Sequence, residues 1–324
     1  MRLIWPFLAI AQALVLSVAA HAIPREWTIE WPNTDFSQLT VDAGEIISGG
    51  VPKDGIPAIS GPQIISASEE NRLAEREPVI AVEINDSWRA YPIRYLLWHE
   101  IVNDQLSGTP IAVTYCPLCN SAVVFDRRVD GELRSFGVTG KLRFSDMIMY
   151  DRETESWWQQ AVGEGIAGVH AGDSLTVLPA LTMGWKDYLE TAGSAAEVIA
   201  EPRYPRPYGA NPYVGYDTSD RPFLYIGENP PHDIHPLARV VRVGDKAWPL
   251  ERLQNGQIVT EAGYHLDWQE GQRSPLDTRD LQLGREIGTV RVRHAGTDEL
   301  AAHDILFAFA FHAFFPEGEW MLGE

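Results

Sequence analysis

From Pro78 onward the chain alternates short β-branched apolar runs with polar breaks. Val79 to Ile84 reads as a strand, Asn85-Asp86 as a turn and Trp88 to Pro92 as a returning strand, the pattern of a hairpin. Ile93 to His99 predicts a short helix. Ile111 to Tyr115 and Ser121 to Asp126 predict strands. Asp130-Gly131 predicts a hairpin turn with Glu132 to Val138 as its partner strand. Met147 to Tyr150 and Ser156 to Gln160 continue the strand pattern, and Thr182 to Ala192 has helical character. Residues 23–75 are turn-rich, with Gly49-Gly50-Val51-Pro52 and Ser60-Gly61-Pro62 as the clearest breaks. Residues 201–236 are rich in Pro and Tyr and predict an irregular connector whose tyrosines pack on a surface.

Beyond the connector, residues 237–324 read as a second, degenerate copy of residues 76–200. Ala90-Tyr91-Pro92-Ile93 aligns with Ala247-Trp248-Pro249-Leu250. At the same offset Leu96 meets Leu253, and Ile101-Val102 meets Ile258-Val259. The matches are apolar or turn positions, those that a shared fold requires. The expected fold is therefore α+β, mainly β, with two related β-rich domains from an internal duplication.

The N-terminus changes the expected location. Arg2 precedes an apolar run from Leu3 to Ala20, closed by Ala20-His21-Ala22. Residues 1–22 thus read as a cleavable signal peptide, and the mature protein as periplasmic or secreted, with no stable membrane insertion after cleavage. The formal charge of −19 argues against nucleic acid and anionic lipid as partners. A small molecule or another protein remains open as the partner. The 11 tryptophans predict a well-filled core or aromatic clefts.

The chain has 2 cysteines, Cys116 and Cys119, so it is not a disulfide-stapled scaffold. A bridge between residues three positions apart would close a tiny loop and add little stability, which points to a chemical role. In a thioredoxin-like pair, a helix N-terminus lowers the first thiol's pKa. Here Ala122-Val123-Val124-Phe125 predicts a strand instead. In a metal knuckle, Pro117 sets the tight turn and Asn120 tolerates the left-handed backbone after the second Cys. Two sulfurs are half of a tetrahedral site. His99, one strand earlier and replaced by Gly256 in the second copy, is the leading third ligand. Asp126, Asp146, His170, His232 and His235 are weaker alternatives. Copper, zinc or iron suits soft sulfur donors.

The stretch from Ala90 to Gly168 resembles a mostly bacterial family known as domain of unknown function 3179. The resemblance rests on Ala90-Tyr91-Pro92, Trp98-His99-Glu100-Ile101-Val102-Asn103-Asp104 and Val113-Thr114-Tyr115-Cys116-Pro117-Leu118-Cys119. It continues through Phe125-Asp126-Arg127, Phe136-Gly137-Val138, Ser145-Asp146, Met149-Tyr150-Asp151-Arg152 and Thr154-Glu155-Ser156-Trp157. Asn211-Pro212-Tyr213 and Gly215-Tyr216 in the connector are similar as well. The resemblance implies a common fold and a site around His99, Cys116 and Cys119, but no activity. Members commonly carry Gly where this chain has Asn120.

Asp126, Arg127, Arg128, Arg143, Asp146, Tyr150, Asp151, Arg152 and Glu155 form a dense polar set among predicted strands. Arg127 as an anion binder, and Asp146 or Asp151 as acid, base or ligand, are the catalytic candidates; solvent-exposed ion pairs are the plainer alternative. Ser145-Asp146, between Phe144 and Met147-Ile148, is the pair most expected to be buried with a purpose. The leading expectation is an exported protein that binds a transition metal through the Cys-x-x-Cys turn and a histidine. The alternatives are a thiol–disulfide oxidoreductase using Cys116 and Cys119 and a noncatalytic peptide- or glycan-binding module.

Overall fold

The computed structural model describes residues 22–254 and 256–323, so the expected signal peptide lies, apart from Ala22, outside the described residues. The fold is mainly β, with 37% strand against 16% helix, in small sheets arranged like a five-bladed propeller. None of the described helices is long and apolar enough to cross a membrane.

The elements that position the site run in order along the chain. A hairpin of β1 (Pro78–Ile84) and β2 (Ser87–Pro92) leads into α1 (Ile93–His99). The meander β3 (Ile101–Leu106), β4 (Thr109–Cys116) and β5 (Ser121–Asp126) follows, then β6 (Phe136–Arg143), β7 (Asp146–Asp151) and β8 (Trp157–Gln159). Next come β9 (Ala180–Gly184), α2 (Trp185–Ala192) and β10 (Glu197–Ile199). The β1–β2 turn is tight because Asn85 and Asp86 both adopt left-handed φ, 50° and 61°, which short polar side chains tolerate. The helix expected over 182–192 begins only at Trp185. Thr182 and Met183 instead pair with Ile80 and Val79, so sheet pairing overrides local helical character.

The C-terminal stretch contains β11 (Arg239–Val243), β12 (Lys246–Pro249), β13 (Val259–Glu261), β14 (Tyr264–Gln269), β15 (Thr289–His294), β16 (Asp304–Phe307), α3 (Ala308–Phe314) and β17 (Glu319–Trp320). Its strand order repeats that of the first stretch. One sheet runs β9-β1-β2-β10, with the strand Ile64–Ser66 as a fifth beyond β10, and the other runs β16-β11-β12-β17. The neighbouring pairs are antiparallel, antiparallel and parallel in both. Each hairpin is followed by a meander, β3-β4-β5 or β13-β14-β15. The short 3-10 helix Leu250–Arg252 stands where α1 stands in the first stretch. β6, β7 and β8 are the central strands of a separate five-stranded sheet edged by Ile46–Ser48 and Glu164–Ala167.

The two stretches share a core. Tyr115, Val124 and Met149 belong to the same buried cluster as Val240, Ala247 and Phe307. Burial at roughly 25 cal/mol per Å² of apolar surface holds the sheets together around the cysteine turn.

Candidate metal centre

The Cys-Pro-Leu-Cys turn joins β4 to β5, and Cys116 pairs with Ser121 across it. No helix follows, since β5 begins at Ser121. Asn120 holds φ +54°, and its side chain fixes the turn on two sides. Its Oδ1 accepts from Tyr115 Oη at 3.1 Å, and its Nδ2 donates to Ile305 O at 2.9 Å. Phe307 N donates to Cys119 O at 2.9 Å. Tyr216 Oη, from the connector, donates to Leu118 O at 2.8 Å.

The β6–β7 hairpin brings the third group. Its turn residues Phe144 and Ser145 hold φ 50° and 64°, a region that residues other than Gly, Asn and Asp rarely occupy. Tertiary contacts impose it. The Phe144 ring meets Tyr225 and Phe314, and Ser145 Oγ donates to Phe223 O. The result sets Asp146, fully buried, against the sulfurs. Cys119 Sγ donates to Asp146 Oδ1 at 2.8 Å. Asp146 Oδ2 accepts from Gln159 Nε2 at 2.6 Å and from Ala161 N at 2.9 Å. Cys116, Cys119 and Asp146 offer three ligand atoms that all lie within 4.8 Å of one another.

The electrostatics are those of acids crowded without a counter-charge. Among the described residues, every hydrogen-bond donor to Asp146 is neutral: a thiol, an amide and a backbone N–H. Burial pushes the Asp146 carboxyl up, against those hydrogen bonds. Burial first, then Asp146 and Glu100, also push the Cys116 thiol up; Cys119 rises well above its usual value through burial, Cys116 and Asp146. Both cysteines are free thiols.

His99 is not the third member of this group. It is fully buried, but both ring nitrogens are engaged elsewhere. Nδ1 lies 2.6 Å from Pro57 O, and Nε2 lies 2.6 Å from Tyr208 Oη. A carbonyl only accepts, so Nδ1 carries the proton and Nε2 accepts from the tyrosine. Burial holds the ring's pKa down, in keeping with a neutral imidazole. No lone pair is left for an ion.

The other polar residues serve the scaffold. Arg127 donates to Arg134 O at 2.7 Å and to Asp104 O at 3.1 Å, tying strands together. Asp151 accepts from Thr154 N at 2.7 Å and from Trp158 Nε1 at 3.0 Å, which closes a turn. Asp126 pairs with Arg128, and Arg143 pairs with Glu45 at 2.7 Å. His170 pairs with Asp173 at 2.9 Å and groups with Asp130 in a second, more exposed cluster. His232 and His235 line a cavity of about 610 Å³ with Arg285 and Glu251.

Glu100 and Gln159 are the residues that sequence reasoning passed over. Glu100 follows α1, and its backbone O accepts from Tyr115 N at 2.8 Å. Burial, with the Asp146 charge second, pushes its carboxyl up to about 8. The signal was the Trp98-His99-Glu100 string, in which Pro57 and Tyr208 hold the histidine while the acid is buried at the end of α1.

Residues 53–318 match the family described as Protein of unknown function (DUF3179). The chain belongs to this family. No curated protein and no solved structure matches it. The match spans β1 to α3, so the cysteine turn and the Asp146 hairpin lie within the family domain, as do all the strands of like order except β17.

Proposed function

We propose that this protein is an exported metal-binding protein whose ion is held by Cys116, Cys119 and Asp146. The observation that carries the reading is the crowding of three acidic groups within 4.8 Å in a buried space where Asp146 has only neutral donors. Buried acids without a counter-charge are costly, and a cation reverses the sign of that cost. Coordination deprotonates thiols outright. Two sulfurs with one carboxylate oxygen suit zinc or iron better than copper(I), which prefers sulfur alone. The thiol-redox alternative is weakened because an attacking cysteine needs exposure and a lowered pKa, whereas both thiols here are buried and raised. Export rests on the N-terminal Arg2, apolar run and Ala20-His21-Ala22. We further infer that the two sheets of like strand order arose by internal duplication, with units near 76–200 and 237–324 and the second unit stripped of the ligands.

The test is metal analysis of mature protein purified without chelator, beside Cys116→Ser/Cys119→Ser and Asp146→Asn. Near-stoichiometric metal in the wild type, lost in both variants, is expected. No metal in the wild type, even after reconstitution of the reduced protein, sinks the proposal. Retention by Asp146→Asn with loss in the cysteine variant returns the third position to another residue.

A further inference from the structure

Cys116, Cys119 and Asp146 are each 1% exposed or less, so nothing reaches them unless part of the wall moves. The strands that carry them are held firmly, since β4, β5 and β7 each pair with a neighbour on both sides. One segment of the connector against the site is held differently. Among the described residues, no hydrogen bond joins the backbone of residues 220–230 to another backbone group. Segments held in this way open at the low end of a protein's stability range. Its attachment runs through Phe223. Tyr216 Oη donates to Leu118 O, between the two cysteines, at 2.8 Å and accepts from Phe223 N at 3.2 Å. Ser145 Oγ donates to Phe223 O, and Cys116 Sγ donates to Ser145 O at 3.8 Å. Phe223 is thus latched, through its N–H and its carbonyl, to the two turns that bring the sulfurs and Asp146 together. The Tyr225 ring adds contacts with Phe144 at 6.4 Å and Phe309 at 4.8 Å between centroids. Two features oppose closure. Leu224 sits at φ +51°, a region that a leucine rarely occupies. Phe223 and Ile226 are 55% and 54% exposed, so their apolar surface gains little from the closed position.

We propose that residues 220–230 are the gate of the buried site: Phe223 leaves Tyr216 Oη and Ser145 Oγ, the segment lifts, and an ion passes to the sulfurs. The purpose of the gate rests on the metal reading above, whereas its opening is a property of the metal-free protein. Opening breaks the two hydrogen bonds to Phe223 and the Tyr225 ring contacts. It leaves every strand pairing around the site in place, because residues 220–230 belong to no sheet.

The opening is read first without metal. The reduced mature protein, with chelator present, is treated with an aromatic disulfide that reports thiol attack by absorbance. Rates are measured at rising urea below the unfolding transition for the wild type, Tyr216→Phe and Ser145→Ala. The expected wild-type rate depends only weakly on urea, because lifting a short segment exposes little surface. Each variant should react roughly 5-fold faster, in line with the loss of one latch. If one variant does not fold, the other carries the readout. A wild-type rate that climbs with urea as steeply as global unfolding, or equal rates in all three proteins, overturns the gate. Zinc(II) is then added, and uptake and release to a competing chelator are expected to quicken together in both variants. Faster release with unchanged uptake makes Tyr216 and Ser145 anchors only and overturns the gate. A wild type that takes up no zinc, yet shows the expected thiol rates, removes the metal reading and leaves the gate standing.

Discussion

Replacing Glu100 by Gln should flatten the pH dependence of stability in the metal-free protein. A glutamate in the unfolded chain titrates near 4.5, whereas the folded carboxyl is pushed up to about 8. The folded state therefore holds a proton that the unfolded state releases, so this residue's contribution falls as pH rises between those values. At about 1.4 kcal/mol per pH unit, the loss from pH 4.5 to 8 comes to roughly 5 kcal/mol, and it levels off above pH 8. Below pH 4.5 both states are protonated and the residue costs nothing in charge. Gln has the same shape and no titration, so the comparison removes the proton-linked part and leaves the packing. Its own unmet amide shifts the whole curve by a constant amount. The assay is urea unfolding with chelator and reductant at pH 5, 6.5 and 8 for both proteins. The stability difference between variant and wild type should grow in the variant's favour by roughly 3–4 kcal/mol from pH 5 to pH 8. Parallel curves would refute the claim that Glu100 is buried as an unpaired acid.

Three further outcomes follow from the same geometry. Zinc affinity should rise steeply with pH between 6 and 8, with protons released on binding, because the raised thiols hold protons that the metal must displace; calorimetry in buffers of different ionisation enthalpy counts them, and zero release contradicts thiolate ligation. His99→Ala should leave zinc affinity unchanged while lowering stability by about 2–4 kcal/mol, from lost buried hydrogen bonds and a cavity; a stable variant with lost zinc would restore the histidine as a ligand. Asn120→Gly keeps the left-handed backbone but loses the bridge from Tyr115 to Ile305, at about 1–3 kcal/mol, and Asn120→Ala should be less stable still, by about 1 kcal/mol for the strained φ; chemical denaturation ranks the two, and Ala above Gly would contradict the turn geometry.

The local pattern of apolar and polar positions carried the strands well. β1, β2, α1, β4, β5 and β7 fall within a residue or two of the runs that predict them, because each is bounded by turn residues with a definite backbone preference. The cysteine turn was legible for the same reason, since Pro117 and Asn120 specify it from within. The third member of the group, Asp146, was legible only as a weaker ligand alternative and as a residue expected to be buried with a purpose, not by its approach to the sulfurs. Asp146 reaches Cys119 through the β6–β7 hairpin, and nothing local in Phe144-Ser145 announces a turn with both residues left-handed. That turn is imposed by Phe223, Tyr225 and Phe314, contacts that exist only after folding. His99 misled because adjacency in sequence was taken for adjacency in space. At the end of α1, where Glu100 takes a left-handed φ of 58°, the His99 ring is held by Pro57 and Tyr208 and not by the cysteine turn.

That geometry also explains why the half of the chain without cysteines matters to the half that has them. The cysteine turn is a strand connection with no helix behind it, and four residues alone cannot fix where its two sulfurs sit beside the buried Asp146 carboxyl. Three anchors do. Two come from β16, through Phe307 N and Ile305 O, and the third comes from the connector, through Tyr216 Oη. β16 is held in turn by antiparallel pairing with β11 along Arg239 to Arg242, in the same place in its sheet as the β1–β9 pairing. The C-terminal stretch thus shares the sheet order of the first and carries no cysteine. Its remaining duty is to fix the turn from outside, where the ordered backbone is already supported by its own core of Val241, Trp248 and Leu266. Under the metal reading proposed above, a site supported this way is built before any ion arrives. This distinguishes it from small domains in which metal binding and folding are one event. It also places the cost of the empty site in the protonation of its acids and not in disorder of its backbone.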